Sequence, residues 1–295
     1  MKTFINITLV ASLSALTAQA ALVTDNLVNE LNGDAITTTT GGSTWTAESG
    51  YNAALSGNGL TKVAATVGGG QTSSLFSNAL STGVRANANA NGAHFGNNLL
   101  TGTTFSVELW VSPNGEIVDG ASTDTHTIFE AGGTGRGFSI TLGDNNDGDL
   151  LNNNLRFAMA GNGSAFVDIA LSADFSDGDF HQMVVTYDAT NIMSFYYDSA
   201  LAGSIANAGA LNWNGTSGVG FWGEGGSGGS QGAGLIALDS VGEGHGSLAV
   251  FRHYSDVLTA GEVATNYAST IPEPGTTALL AGCFALTSIM VRRRR

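Results

Sequence analysis

An all-β sandwich is the fold class this sequence predicts, and three observations carry it. Phe105-Ser106-Val107-Glu108-Leu109-Trp110-Val111 alternates with period two and stops at Ser112-Pro113-Asn114-Gly115. Segments of the same character recur at roughly 8- to 15-residue spacing with turn residues between them. The composition agrees: 42 Gly and 12% charged residues beside 42% hydrophobic ones read as short strands joined by glycine-rich turns, not as a disordered chain.

The elements follow in chain order. Met1-Lys2-Thr3 is a short positive region, Phe4 to Leu16 is apolar, and Ala18-Gln19-Ala20 is a small-x-small cleavage site. Residues 1–20 therefore read as a secretory signal peptide, helical while in the membrane, and the mature chain begins near Ala21. In 21–100 the polar tracts Thr37 to Ser43, Gly68 to Ser74 and Ala86 to Gly92 alternate with few apolar residues, which suggests first strands of the same sandwich and one domain over 21–270. Beyond Phe105 to Val111, the expected strands are Thr127 to Glu130, Gly137 to Leu142, Leu155 to Ala160, Phe166 to Leu171, His181 to Tyr187, Met193 to Tyr197, Gly218 to Trp222 and Ser247 to Tyr254. Thr259-Ala260-Gly261-Glu262 is a capping box before Val263, Ala264 and Tyr267, so one short helix should run to about Ser269.

The chain ends differently. Ile271-Pro272-Glu273-Pro274-Gly275 runs into an uncharged stretch, 275–291, closed by Arg292, Arg293, Arg294 and Arg295. At 1.5 Å per residue that stretch is about 26 Å long, enough for a transmembrane helix crossing a ~30 Å hydrocarbon core with little tilt. A cationic cluster beside a span is biased to the cytoplasmic side, which puts everything before Pro272 outside. The triplet, span and arginine tail at 271–295 resemble the PEP-CTERM sorting signal of bacterial surface proteins. That resemblance implies export, recognition of Pro272, Glu273 and Pro274 by an exosortase-type membrane enzyme, and association with exopolysaccharide. The residues alone also allow an uncut tail anchor.

Without its two ends the chain keeps five of ten basic and 23 of 24 acidic residues, a net −18 over 21–271. Such a surface repels nucleic-acid phosphates, and that class of partner is excluded. The single cysteine, Cys283, lies in the terminal stretch, so the exported part has neither disulfide nor thiol nucleophile.

A second resemblance covers 100–270, the best-supported part of the domain. Phe105 to Pro113, Phe180 to Asp188, Ser194 to Asp198, and Leu248 to Tyr254 with Leu258 to Val263 are similar, in order, to the laminin-G-like, concanavalin A-like jelly roll. The resemblance implies two antiparallel sheets of about six or seven strands each. Two departures are Asp198-Ser199 where an Asp-Gly turn is usual, and Gly246-Ser247 where an acidic pair often precedes the last strand.

Concanavalin-like sandwiches include glycosidases, which need two carboxylates on one strand face. No Glu-x-Asp-x-x-Glu run occurs. Glu108 shares a strand face with Trp110 and reads as a sugar contact or an exposed strand residue. Gly225 to Gly229 formally fits a nucleophile elbow and Gly223 to Gly228 a dinucleotide fingerprint, both without the strand-to-helix setting that gives them meaning. His94, His126, His181, His245 and His253 show no metal spacing, and His181 reads as packing. No catalytic set is expected. Asp144, Asp147 and Asp149, with Asn145 and Asn146, form a candidate calcium turn, although Gly148 breaks the EF-hand register and Asp and Asn are common turn residues. Asp174, Asp177 and Asp179 are a weaker acidic cluster.

The expected function is an exported, non-catalytic cell-surface or matrix module that binds carbohydrate or exopolysaccharide. Trp213, Phe221 and Trp222, beside glycine-rich loops, are its candidate glycan contacts, with core packing as their alternative. Competing readings are a divergent glycoside hydrolase or lyase and a purely structural matrix protein.

Overall fold

Strands with aromatic and β-branched residues at alternate positions need two layers to bury them. The computed structural model describes residues 21–32, 37–39, 42–46, 54–56, 60–64, 73–77, 84–86, 104–112, 126–131, 137–142, 154–160, 165–170, 179–206, 219–221 and 246–270. The described strands are β1 (Leu27–Asn32), β2 (Thr37–Thr39), β3 (Gly42–Thr46), β4 (Ala54–Ser56), β5 (Leu60–Ala64), β6 (Ser73–Ser77), β7 (Val84–Ala86), β8 (Phe105–Ser112) and β9 (His126–Ala131). They continue with β10 (Gly137–Leu142), β11 (Asn154–Ala160), β12 (Ala165–Ala170), β13 (His181–Tyr187), β14 (Ile192–Tyr197), β15 (Ala200–Ala206), β16 (Val219–Phe221) and β17 (Gly246–Tyr254), followed by the helix α1 (Ala260–Thr270).

Two antiparallel sheets result. One runs β15-β14-β13-β8-β17-β6-β5 with β1 added along β17, and the other runs β12-β11-β10-β9-β16-β7-β4-β3-β2. They hold 8 and 9 strands, more than the six or seven each that the resemblance implied, because strands from the first 86 residues extend both sheets. β6 pairs with β17, and β7 with β16. The strands expected after residue 100 all form, within one residue at either end. β15 went unpredicted.

The core lies between the sheets. Phe105 of β8 stacks on Phe138 of β10 at 5.8 Å between centroids, Phe251 of β17 on Phe129 of β9 at 6.1 Å, and Phe195 of β14 meets Phe157 of β11 at 4.5 Å. Each pair joins one sheet to the other, where aromatic contacts add to area burial. Phe105, Val107, Leu109 and Val111 thus turn inward, which sends Ser106, Glu108, Trp110 and Ser112 to the outer face. Alternation alone would leave that outer face wet. Instead all eight residues of β8 are buried.

The cover is α1 together with the segment before β1. The capping box forms as expected: Thr259 N donates to Glu262 Oε2 at 2.7 Å, and Glu262 N to Thr259 Oγ1 at 3.3 Å. α1 then packs Val263 against Val184, Tyr196, Tyr254 and Leu258, with Val23 and Leu27 closing the same cluster. Nearer the other end of β8, Tyr267 stacks on Trp110 at 5.5 Å, beside Phe180. Leu258 N donates to Ser106 Oγ at 2.8 Å, so α1 runs along β8 in the same direction, from Ser106 toward Trp110.

No described helix is long and apolar enough to cross a membrane. The signal peptide with Ala18 and Ala20, the motif Pro272, Glu273 and Pro274, the stretch 275–291 and the tail Arg292 to Arg295 lie outside the described residues.

Candidate functional site

Beneath α1, Glu108 is wholly buried. Its Oε1 accepts hydrogen bonds from Trp110 Nε1 at 3.0 Å, Gln182 Nε2 at 2.8 Å and Arg252 NH1 at 3.1 Å. Oε2 accepts from Asn266 Nδ2 at 2.9 Å and Tyr254 OH at 3.5 Å. Arg252 is shared: its Nε donates to Glu30 Oε1 at 2.8 Å, so one guanidinium joins β1, β8 and β17. Burial alone would lower the Arg252 guanidinium, but the carboxylates of Glu108 and Glu30 outweigh it and hold it above its ordinary value. Burial, reinforced by Glu108, likewise pushes the Tyr254 phenol well above its usual range.

This corrects the sequence reading of Glu108. It is neither exposed nor a sugar contact, because the helix covers the strand face that alternation assigned to solvent. A carboxylate with five donors around it and no solvent access is a structural anchor, not a general acid or nucleophile. The signal for its role was in the sequence: Arg252 is the one permanent charge in the run from Leu248 to Tyr254, and a cation there needs a buried acid.

A functional surface has to be sought where the chain meets solvent, and the register shows where the connections gather. In the nine-stranded sheet Leu142 pairs with both Leu155 and His126, Asn154 with Ala170, and Phe221 with Phe129 and Val84. The ends at Leu142, Ala170 and Phe221 thus point to one rim, the rim of the starts at Val84, His126 and Asn154. In the other sheet Ser112 pairs with Ser247, His181 with Val111, and Gly246 with Ser77. Segments 78–83, 113–125, 143–153, 171–178 and 222–245 are therefore all attached at the same end of the sandwich.

That grouping sorts the sequence-predicted residues. Asp144, Asp147 and Asp149 lie in 143–153, Asp174 and Asp177 in 171–178, and Trp222 follows Phe221 directly. All of these side chains lie outside the described ones, but their segments share one rim. Trp213 does not join them. It belongs to 207–218, which connects Ala206, paired with Ile192, to Val219, paired with Ala131, and both anchors are at the opposite rim. The segments that carry Trp213 and Trp222 are thereby anchored toward opposite rims.

Described residues at the first rim centre on the β14–β15 turn. Asp198 and Ser199 adopt φ of 44° and 67°, the left-handed pair of a two-residue type I′ hairpin. Asp198 Oδ2 bonds His181 Nδ1 at 2.8 Å, its Oδ1 accepts from Gln182 N at 2.9 Å, and Tyr197 stacks on the imidazole at 5.3 Å. His181 is more than packing, since Asp198 fixes its ring. Its Nε2 is buried, however, so the pair is not placed to exchange protons with a ligand in solvent. Tyr267 belongs to the same corner: burial, reinforced by Asp198, raises its phenol. Asp179 is exposed just before β13.

Among the described residues no group of three or more His, Cys, Asp or Glu could hold a metal ion. The candidate calcium turn at Asp144, Asp147 and Asp149 lies outside them.

None of the curated proteins matches this sequence. Among solved structures, the chain is similar to the botulinum neurotoxin serotype D binding domain (15% identity, TM-score 0.53, covering 82% of this chain and 51% of that one). It is also similar to the receptor binding domain of the botulinum neurotoxin C/D mosaic serotype (14%, TM-score 0.52, 82% and 51%). A third is the binding domain of botulinum neurotoxin DC in complex with SialylT (14%, TM-score 0.50, 83% and 51%). The chain spans about half the length of these structures, and at such identity the likeness is one of fold. The sequence itself matches a family model described as the concanavalin A-like lectin/glucanases superfamily over residues 87–264, from β8 to α1, and the chain belongs to that superfamily.

Proposed function

We propose that the protein is an exported, non-catalytic module that binds carbohydrate, with extracellular polysaccharide as its ligand class, through the rim that carries 143–153 and 222–245. The observation that supports this reading is that the strand ends anchoring the segments of Trp222 and of the Asp144, Asp147 and Asp149 turn point to one end of the sandwich. Sugar recognition needs an aromatic platform and polar loop groups on a rigid support, and a sandwich rim supplies that combination. The neurotoxin domain in complex with SialylT supports the reading by analogy of fold only. Glu108 speaks against hydrolysis, since the acid on the central strand β8 is buried under α1.

Export rests on the signal peptide ending at Ala18-Gln19-Ala20, and sorting on Pro272, Glu273 and Pro274 before the apolar stretch. On this reading an exosortase-type enzyme processes the tail, and calcium at Asp144, Asp147 and Asp149 would support the rim loops rather than perform chemistry.

The test is binding of the protein to host exopolysaccharide, with release of reducing ends followed alongside. Trp222→Ala should weaken binding by about tenfold or more, as loss of a central aromatic contact does. Trp213→Ala should leave it within about twofold, because its segment is attached at the far rim. Equal losses in both variants would move the site off this rim, and sustained release of reducing ends would replace the module with a hydrolase. Intact mass of the protein from its native host tests sorting: a species from Ala21 to near Glu273 is expected, and one retaining Arg295 would make it a tail anchor.

A further inference from the structure

We propose that the folded domain itself withholds the C-terminal motif from its processing enzyme, through a latch in which Asn266 clamps both ends of the domain; this rests on the sorting reading of Pro272, Glu273 and Pro274. Asn266 is wholly buried. Its Nδ2 donates to Glu108 Oε2 and to Tyr254 OH, each at 2.9 Å, and its Oδ1 accepts from Val23 N at 2.9 Å. Tyr254 OH, whose single proton is shared between Glu108 Oε2 and the backbone, lies 3.3 Å from Val23 O. One side chain thus holds the start of the mature chain against the helix that ends it.

The clamp lies close to the motif. The residue after Asn266, Tyr267, is stacked on Trp110, and Ser269 Oγ donates to Asn266 O at 2.8 Å within the last turn. α1 extends to Thr270, which leaves Ile271 alone between it and Pro272. A protease grips an extended segment. From Thr270 to Pro274, the last residue before the uncharged stretch, four residues reach at most about 14 Å. α1 also points toward the rim of Asp198, because Tyr267 stacks on Trp110, which pairs with Gln182, and the Gln182 N–H donates to Asp198 Oδ1. A membrane-embedded enzyme meeting the latched domain would therefore have the sandwich rim against it. Room for the motif comes only when the turn after Tyr267 unravels, or when processing precedes latching. The latch makes maturation depend on the folded state of the domain.

The experiment follows cleavage of the full-length chain by pulse-chase in a host with the processing enzyme. It compares the unaltered protein, a chain with a flexible Gly/Ser spacer of about eight residues between Thr270 and Ile271, Asn266→Ala, and Pro272→Ala/Pro274→Ala. The spacer leaves every contact of the latch in place. It should mature about fivefold faster or more, the order expected when a pinned helix end no longer has to open first. Asn266→Ala should also mature faster, and should lose protection of its N-terminal residues in limited proteolysis. Equal rates for the spacer and unaltered chains overturn the latch while leaving sorting intact. Cleavage of the double proline variant at the unaltered rate overturns the sorting reading, and the latch with it.

Discussion

Glu108→Gln changes one oxygen to an amide nitrogen at constant shape, so its effect on stability measures the buried charge together with the hydrogen bonds that the lost oxygen accepts. The amide oxygen can still accept from Trp110, Gln182 and Arg252, but its NH2 then faces the Asn266 amide group, which already donates to Glu108 Oε2 at 2.9 Å. Asn266 cannot answer by flipping, because its Oδ1 accepts from Val23 N. Arg252, 4% exposed, is left with Glu30 as its one carboxylate. Hydrogen bonds to charged groups contribute about 1.5–3 kcal/mol each but do not add within a network, and breaking one side of a buried ion pair costs about 3–5 kcal/mol. The expected loss is therefore about 3–5 kcal/mol, equivalent to a fall of roughly 6–20 °C in Tm for a domain of this size. Urea unfolding followed by tryptophan fluorescence suits the measurement, since Trp110 itself donates to Glu108. Arg252→Met and the double variant complete the cycle, and the double should lose less than the sum by about 0.5–3 kcal/mol. A loss below about 1 kcal/mol for Glu108→Gln, or strict additivity, would refute the claim that this carboxylate anchors the covered face.

Three further outcomes follow from local geometry. Ser199 sits at φ 67°, where an L-residue is strained, so Ser199→Gly should stabilise by about 0.5–1 kcal/mol and raise Tm in scanning calorimetry; destabilisation would show that the serine side chain matters more than its backbone. Thr259→Ala removes the hydroxyl that accepts from Glu262 N, and should cost about 1 kcal/mol in denaturant unfolding; no change would mean the helix is held by Val263 and Asn266 alone. Asp188 is held below the usual carboxylate range first by the Ile192 N–H, which outweighs the opposing effect of burial, and then by the Thr190 hydroxyl and N–H. A depressed folded pKa contributes stability above the unfolded value of about 3.9 that is lost as pH falls through the folded one, so Asp188→Asn should flatten the stability profile below about pH 4 and an unchanged acid limb would contradict the assignment.

Legibility of the sequence followed from whether a pattern was local. β8, β13 and the capping box were readable because alternation and Thr259-to-Glu262 spacing are complete within a few residues. β15 was not, since Ala200 to Ala206 consists of small residues and Leu201 and Ile205, and pairing with β14 rather than propensity makes it a strand. In the first 86 residues the strands are short and polar, and only their partners β17 and β16 reveal which sheet they join. Glu108 was misread for a related reason: period two assigns a face but not what covers it, and its cover comes from Asn266, 158 positions away. Trp213 and Trp222 look close in sequence, yet β16 lies between them and runs from the rim at Ala131 toward the other one.

The two faces of the eight-stranded sheet have different fates, and this bears on where binding can evolve. Its inner face is fixed by aromatic contacts to the second sheet, and its outer face by Glu108, Arg252, Asn266 and the helix above them. Neither can change a residue without a cost in stability comparable to a sizeable part of what holds a domain folded. The rims are free of that constraint. A hairpin such as Asp198-Ser199 keeps the carboxylate that fixes His181 and Gln182 while departing from the usual glycine, which shows how a turn can vary once its two carboxylate bonds are kept. Loops between well-anchored strand ends can be lengthened at little thermodynamic cost, because closure entropy grows only slowly with length. On the proposed reading, long segments such as 113–125 and 222–245, anchored between such strand ends, are where this sandwich carries its ligand chemistry.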